Sequence, residues 1–400
     1  MSDRSEKGAR TQLAWLAAAM ILGMTPWFSA TAAAPGMARE WEISPATTAW
    51  LTIAVQIGFV LGTLASAVLL LSDRLSPRYL ASVSATVVGV ATLLVIWRGV
   101  GAEGAIGLRV LTGVALAGVY PPGIKIAAGW WKDRRGTAIG VLVGALTVGS
   151  AAPNLFRAGL AATDWRPIMV AAACASFLSA GVFAFVVREG PFQSRSSAFN
   201  PHAVLLVLRE RGVGLATAGY LGHMWELYAM WSSIGAFWIF VASRYAMTPS
   251  TAASLAFVTI GVGIVGCVMA GAVADRVGRP VVTIVAMAVS AACALLIGPS
   301  INVAAVAVVV VAIVWGISIV ADSAQFSAAV TELAPVQYVG TAITLQTCFG
   351  FLLTIVTIRA VPVWVEWWGW ERAYMPLAIG PVLGIFAMWR LWRTELRPSS

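Results

Sequence analysis

Gly271-Ala-Val-Ala-Asp275-Arg276-Val-Gly278-Arg279-Pro280 is a short charged turn set between two long apolar runs. A second copy, Leu71-Ser-Asp73-Arg74-Leu-Ser-Pro77-Arg78, precedes it by 202 residues, aspartate to aspartate. That offset is half of a 400-residue chain, so the sequence reads as one unit written twice.

The apolar runs define the medium. Sixty per cent of the residues are hydrophobic and 11% are charged, against about a quarter charged in a soluble globular domain. Runs of about 20 apolar residues recur along the whole length, each long enough to cross a bilayer. They are continuous rather than alternating. A continuous run satisfies its own backbone in lipid as a helix, whereas a barrel strand alternates. Twelve spans are predicted: 12–34, 47–71, 79–97, 104–128, 136–160, 166–187, 213–240, 250–273, 280–298, 302–329, 338–360 and 371–391. Ala32-Ala33-Ala34 resembles a signal-peptide cleavage site, but the apolar stretch before it is too long for a signal, and an uncleaved first span is expected.

The net charge of +9 is a topology signal rather than a nucleic-acid footprint. Seventeen basic residues, including Arg74, Arg78, Lys132, Arg134, Arg195, Arg276, Arg279 and Arg397, fall on one side of the predicted spans. Five fall on the other: Arg39, Arg98, Arg166, Arg244 and Arg372. The bias predicts both termini in the cytoplasm of a cell with the protein in its cytoplasmic (inner) membrane, the basic loops against anionic lipid. Trp97, Trp130, Trp131, Trp165, Trp364, Trp367, Trp368, Trp370, Trp389 and Trp392 fall at predicted span ends, where amphipathic rings are expected. Cys174, Cys267, Cys293 and Cys348 are single and lack metal or redox spacing, so no metal and no cofactor is expected.

The duplication has further anchors. Ser44-Pro45 opens span 2 and Thr248-Pro249 opens span 8, each a capping hydroxyl before a first-turn proline. Gly136-Thr-Ala-Ile opens span 5 and Gly340-Thr-Ala-Ile opens span 11; Asp164-Trp165-Arg166 precedes span 6 and Trp370-Glu371-Arg372 precedes span 12. An even number of spans per copy makes the two copies parallel in the membrane. The predicted organisation is a six-helix bundle over 1–187, a polar linker over 188–212 and a second six-helix bundle over 213–400.

The Gly-x3-Asp-Arg-x-Gly-Arg turn between spans 8 and 9, its degenerate copy between spans 2 and 3, and Arg109-x3-Gly113 with Gly118 and Pro122 in span 4 resemble the major facilitator superfamily. The resemblance covers the whole chain. It implies an all-α membrane protein of twelve transmembrane helices in two parallel six-helix repeats, alternating access, and a cavity lined mainly by spans 1, 4, 7 and 10. It also implies a gating latch at Asp275, Arg276 and Arg279. In the first copy Ser76-Pro77 replaces the glycine step, but Asp73, Arg74 and Arg78 remain.

Span 7 carries Gly222-His223-Met-Trp225-Glu226-Leu-Tyr228. His223 and Glu226 are three residues apart and share a helix face near mid-membrane. Ionisable groups at that depth face a cavity or a partner, and a carboxyl beside an imidazole suits a proton carrier. With Asp322 of span 10 they are the candidates for proton coupling. Trp225 and Tyr228 are candidate substrate contacts, though an indole in an apolar helix is more often packing. Arg109 occupies the span-4 arginine position that the resemblance links to coupling or substrate charge; a buried structural ion pair is the competing reading. Lys125 meets substrate or snorkels to the membrane surface. Asp322 is the natural opposite charge for these cations. Arg157 and Arg359 are 202 apart near predicted outer span ends, where snorkelling is expected. Gln325 and Gln346 are polar candidates for substrate binding, with Gln56 and Asn154 lesser ones.

Four in-span basic residues against Glu226 and Asp322 favour an anion. Gly140-x3-Gly144-Ala-x3-Gly149 with Pro153 resembles uptake members, including cyanate and nitrate/nitrite porters, although spans 2 and 8 carry no interior arginine. Gly261-Val-Gly263-Ile-Val-Gly266 matches a dinucleotide fingerprint, but it lies inside span 8 with no preceding strand, and close helix packing explains it better. There is no catalytic constellation, so the chain is expected not to be an enzyme. The expected function is secondary transport of a small organic or inorganic anion inward with protons, by a monomer that binds solute, protons and lipid but no nucleic acid. Proton-driven efflux of a drug-like or toxic compound is the alternative. A non-transporting receptor on this scaffold would need a partner-binding extension, and tails of about ten residues argue against it.

Overall fold

The computed structural model describes residues 3–131, 135–160, 164–192 and 199–395, all of it helix, turn and loop without a strand among the described residues. Lys132, Arg134, Arg195 and Arg397, which contribute to the predicted topology, lie outside the described residues. Contacts divide the chain into two compact units, Met1–Ser196 and Ser197–Ser400.

The first unit holds spans 1 to 6. Span 1 is built from Asp3–Met24, a 3-10 turn over Thr25–Phe28, and Ser29–Glu40. Span 2 is Pro45–Leu69, followed by the one-turn helix Leu71–Arg74, and span 3 is Pro77–Leu94. Span 4 is Gly101–Leu116 and Tyr120–Trp130, span 5 is Arg135–Leu160 and span 6 is Arg166–Phe185. The second unit starts with the short turns Pro201–Ala203 and Val204–Arg209. Span 7 is Arg211–Arg244, span 8 is Pro249–Gly261 and Gly263–Val277, and span 9 is Arg279–Ser300. Span 10 is Ala305–Ala321 and Ser323–Leu333, span 11 is Val339–Trp368, and span 12 is Met375–Ala378 and Ile379–Glu395.

Eleven of the twelve are long and apolar enough to cross a membrane. Span 7 differs only in composition: it is an unbroken 34-residue helix, and Tyr220, His223, Glu226, Ser232 and Ser233 lower its mean hydropathy. Each bundle turns apolar side chains outward, Val83, Leu178 and Phe185 in the first and Met269, Val285 and Leu383 in the second. That is the surface of a multi-pass membrane protein, whose solvent is hydrocarbon.

The duplication extends to packing. In the first unit span 2 lies on span 4, span 3 on spans 4 and 6, and span 1 on spans 5 and 6. In the second, span 8 lies on span 10, span 9 on spans 10 and 12, and span 7 on spans 11 and 12. The capping expectation holds in both copies: the Ser44 hydroxyl accepts from the Thr47 amide at 3.2 Å and the Thr248 hydroxyl from the Thr251 amide at 3.1 Å. Glycine sets the tightest crossings. A Cβ on Gly62 would stand 2.4 Å from the Val114 carbonyl oxygen, and one on Gly266, 204 positions later, 1.9 Å from that of Ile317. These backbones touch because no side chain separates them.

The structure departs from the predicted spans in three ways. Spans 1, 4, 8 and 10 are interrupted rather than continuous. In span 1 Pro26 lacks the amide that would continue the ladder. Span 11 runs on to Trp368, so Arg359 lies inside the helix rather than near its end. Trp165, expected at the lipid interface, is 4% exposed and packs on Gly36 and Trp41.

The crossings generate a prediction. Gly62→Leu and Gly266→Leu each force two backbones apart, at a cost of about 1–3 kcal/mol or more. Both should lower the thermal midpoint of detergent-purified protein by several degrees, while Gly107→Leu, where nothing lies within 4 Å of the added Cβ, leaves it unchanged. Equal midpoints for all three would remove the packing argument.

Candidate functional site

In the first unit the polar interior centres on Arg109, which is 0% exposed. The 3-10 turn at Thr25–Phe28 leaves carbonyls without helical partners, and Arg109 reaches them from span 4. Its Nη2 donates to the Pro26 carbonyl at 2.8 Å and to that of Trp27, its Nη1 to the Ser29 hydroxyl at 3.4 Å, and its Nε to the Leu51 carbonyl at 3.4 Å. One guanidinium thus ties spans 1, 2 and 4 together. Neither competing expectation describes it: the partners are carbonyls and a hydroxyl rather than a carboxylate or open space.

Lys125 lies at the other end of span 4. Its Nζ donates to the Ser72 carbonyl at 2.7 Å and pairs with Asp73. The lysine expected to meet substrate or lipid is therefore the partner of the first charged turn. Beside it the Ser76 hydroxyl donates to Glu189, and Arg78 donates to the Tyr79 hydroxyl at 2.7 Å. Arg74 is exposed. At the opposite end of this unit Arg166 makes a two-pronged pair with Glu40, and the Trp165 indole donates to the same carboxylate at 2.8 Å, fastening span 6 to span 1. Arg157 is half-buried, near enough to Arg39 for the two charges to repel, and Arg359 is exposed.

The second unit buries titratable groups instead. His223 and Glu226 are each 2% exposed and Asp322 is 1% exposed. His223 Nδ1 lies 2.9 Å from Asp322 Oδ1, and its Nε2 lies 2.8 Å from the Ser323 hydroxyl. Glu226 accepts from the Ser290 hydroxyl of span 9 and, at 2.6 Å, from the Trp315 indole of span 10. Asp322, expected opposite the span-4 cations, is thus partnered within its own unit. His223 and Glu226 share span 7 but hold different partners: the imidazole binds the break in span 10, and the carboxyl binds spans 9 and 10.

The remaining candidates divide. Trp225 donates to the Pro376 carbonyl at 3.1 Å and lies against Gly380, which commits it to span 12. Tyr228 is 5% exposed and clusters with Trp231 and Phe351, ring centres 5.6 and 5.1 Å away. Gln346 and Gln56 are buried with both amide atoms unpartnered. Gln325 is buried, and its carbonyl oxygen accepts from Arg279 Nη1 at 2.7 Å. Arg279 also donates through Nε to Glu332 at 3.0 Å, with Nη2 2.9 Å from the same oxygen. Asp275 lies 3.8 Å from Arg279 and Arg276 is exposed. The second charged turn is therefore fastened to the lower end of span 10, as the first is fastened to the lower end of span 4.

Ser290, Trp315, Ser323, Glu332 and Glu189 were not anticipated. Serine and tryptophan are too common in apolar helices to stand out. Glu332 offered a signal, an acid at the end of span 10 level with a basic turn.

A family profile described as Major Facilitator Superfamily matches residues 16–358. The chain is also similar to the MFS-type transporter pytF of Aspergillus terreus (strain NIH 2624 / FGSC A1156), 26% identical over 172 residues, which cover 42% of this chain and 56% of that protein. The chain thus spans little more than half the length of this relative.

The buried pair yields a double-mutant test. His223→Leu strands the Asp322 carboxylate in the interior and should cost about 3–5 kcal/mol. The double variant His223→Leu/Asp322→Leu should recover most of the lost thermal midpoint, because it removes both polar groups together. Additive losses would mean that the two side chains do not act as a pair.

Proposed function

Because the chain belongs to the Major Facilitator Superfamily, we propose that it is a secondary transporter that couples protons to the movement of a small solute by alternating access, both termini in the cytoplasm. The observation that carries the coupling is the burial of His223, Asp322 and Glu226 in one helix cluster. Desolvating ionisable groups is costly, and at this depth they are usually functional. Imidazole and carboxyl are groups that can take up and release a proton. Glu226 and His223 also have neighbouring hydroxyls, those of Ser290 and Ser323, that can adjust when they do.

Inward movement of a small anion is the first reading of substrate and direction. Its support is the excess of basic over acidic in-span residues. Two of those four cations contribute less than their number suggests, since Arg109 is turned onto carbonyls and Lys125 onto Asp73. Arg157 is half-buried and Arg359 exposed, so the anion reading rests on the sequence count rather than on a cation facing the interior. Gln346 adds a buried amide without a partner, which suits a solute bearing both donors and acceptors. The second reading, proton-driven export of a larger drug-like compound, is favoured by the aromatic group Tyr228, Trp231 and Phe351. Asp73, Arg74, Arg78, Asp275, Arg276 and Arg279 act as gate groups in either direction.

Two steps test the proposal. A thermal-shift screen of purified protein against small carboxylates, inorganic anions and common drugs identifies a ligand, because binding to the native state raises its midpoint. Uptake of that ligand into proteoliposomes is then measured under imposed pH gradients. Accumulation driven by an inward proton gradient is expected, and it should fall by about tenfold or more, ~1.4 kcal/mol, in Glu226→Gln and in His223→Gln. Exchange of labelled for unlabelled ligand without a gradient should survive in both. Accumulation under an outward proton gradient would reverse the direction, and indifference to any gradient would end the coupling proposal.

A further inference from the structure

We propose that Gln325 is a positioning residue through which the His223–Asp322 pair acts on the Arg279 latch, with the lower segment of span 10, Ser323–Leu333, as the rod between them. The inference rests on the proton-carrier reading of that pair.

Span 10 breaks at Asp322 itself. The residue joins Ala305–Ala321 to Ser323–Leu333 with φ −85° and ψ −15°, and its carbonyl accepts from the Gln325 amide at 2.9 Å in a tightened turn. The segment below the break is a continuous helix of 11 residues, about 16 Å long at ~1.5 Å per residue. Its first residue, Ser323, meets His223 Nε2 at 2.8 Å. Its third, Gln325, accepts from Arg279 Nη1 at 2.7 Å. Its tenth, Glu332, holds Arg279 Nε at 3.0 Å and Nη2 at 2.9 Å. A single rigid element therefore touches the imidazole at one end and the latch arginine along the rest.

The hydrogen-bond inventory makes the link directional. A neutral imidazole has one donor and one acceptor nitrogen. Asp322 Oδ1 lies 2.9 Å from Nδ1, and in the tautomer that keeps its proton on Nδ1 the ring leaves Nε2 to accept from the Ser323 hydroxyl. A second proton on the ring turns Nε2 into a donor. Ser323 must then stop donating to it and rotate toward another acceptor, so the charge change falls on the first residue of the rod. Gln325 carries the consequence, because it is anchored by its amide to the Asp322 carbonyl and by its side chain to Arg279. Gln325 is itself buried, so losing either contact would leave a polar group unsatisfied in the interior. Charged and titratable neighbours of the pair are Glu226 and Tyr220 on span 7, Cys267 on span 8 with its Sγ 3.5 Å from the Val320 carbonyl, and Arg279 itself; Cys293 is buried on span 9, which packs on span 10, and Cys348 is buried on span 11, which packs along span 7.

The rod's movement can be read without a substrate. Ala329, on the rod, is 4% exposed, and Val336, just beyond it, is 86% exposed. The full chain, with all four cysteines replaced by alanine, carries either Ala329→Cys or Val336→Cys and is labelled with N-ethylmaleimide in proteoliposomes. The Ala329→Cys rate divided by the Val336→Cys rate cancels the intrinsic pH dependence of thiol chemistry. Between about pH 6 and about pH 8, which bracket ordinary imidazole titration, this ratio should change by about fivefold or more, the low end of a usual coupling between sites. The change should vanish in Gln325→Ala and persist in Gln325→Glu, which keeps an acceptor for Arg279, and in Glu226→Gln, which removes the neighbouring titration. A change that survives in Gln325→Ala overturns the role of Gln325 and leaves the proton-carrier reading standing. A ratio that ignores pH in the otherwise intact network overturns both.

Discussion

A helix bundle in a membrane has no water to lend its interior, so each polar group admitted there must find its partner within the bundle. Both units of this protein are arranged by that constraint, and they meet it differently. In the first, a helix break supplies the polar groups and a side chain satisfies them: Pro26 interrupts span 1, and Arg109 takes up the Pro26 and Trp27 carbonyls. In the second, side chains supply the polar groups and a helix break receives them: span 10 opens at Asp322, and His223 sits against that residue and the next. In each unit the result is a polar stitch between the first and fourth spans of the repeat.

The two charged turns follow the same plan with reversed sign. In the first copy the acid is on the turn, Asp73, and the base on the fourth span, Lys125. In the second the working residue of the turn is the base, Arg279, and the fourth span provides Glu332 and the Gln325 oxygen. Opposite signs on turn and helix end are what the fold requires; which element carries which sign is free. That freedom explains how the first turn can lose the glycine step and still be fastened. The difference lies in what each latch touches next. Lys125 ends at the turn, whereas Arg279 is held by the same helical segment that begins beside His223.

Much of this fold was legible because its signals are strong and local. Span number follows from apolar length, and the capped starts at Ser44 and Thr248 follow from a hydroxyl before a proline. The glycine run Gly261, Gly263 and Gly266 announced helix contact, and at Gly266 the contact is there. The site was legible in part. His223, Glu226 and Asp322 stand out because charge is costly at that depth, yet their pairing depends on rotation of spans 7, 9 and 10 about their axes, which periodicity alone does not provide. Lys125, expected to meet substrate or snorkel, and Gln325, expected as a substrate contact, each have a partner in a charged turn, Asp73 and Arg279, a pairing that depends on which elements meet and not on the apolar run itself. The break at Asp322 carries no proline or glycine, so nothing local announced it.

The contrast between the buried groups assigns the division of labour. Arg109 carries a guanidinium, a group that holds its proton in nearly every protein setting, and its contacts are to three carbonyls that cannot change charge and to the Ser29 hydroxyl. Such a stitch is permanent, and it suits a scaffold. His223, Asp322 and Glu226 are groups whose charge changes by one proton, and their contacts include Ser290 and Ser323, hydroxyls that donate or accept as required. A network of that kind accommodates a proton without stranding a partner, since each hydroxyl reverses its role when its neighbour does. Among the described residues the second unit buries carboxyl and imidazole groups against hydroxyls, and the helical segment that begins beside His223 also holds Arg279 of the charged turn. The two units thus solve the same burial problem with different chemistry, the first with a guanidinium on helix-end carbonyls and the second with carboxyl and imidazole groups on hydroxyls.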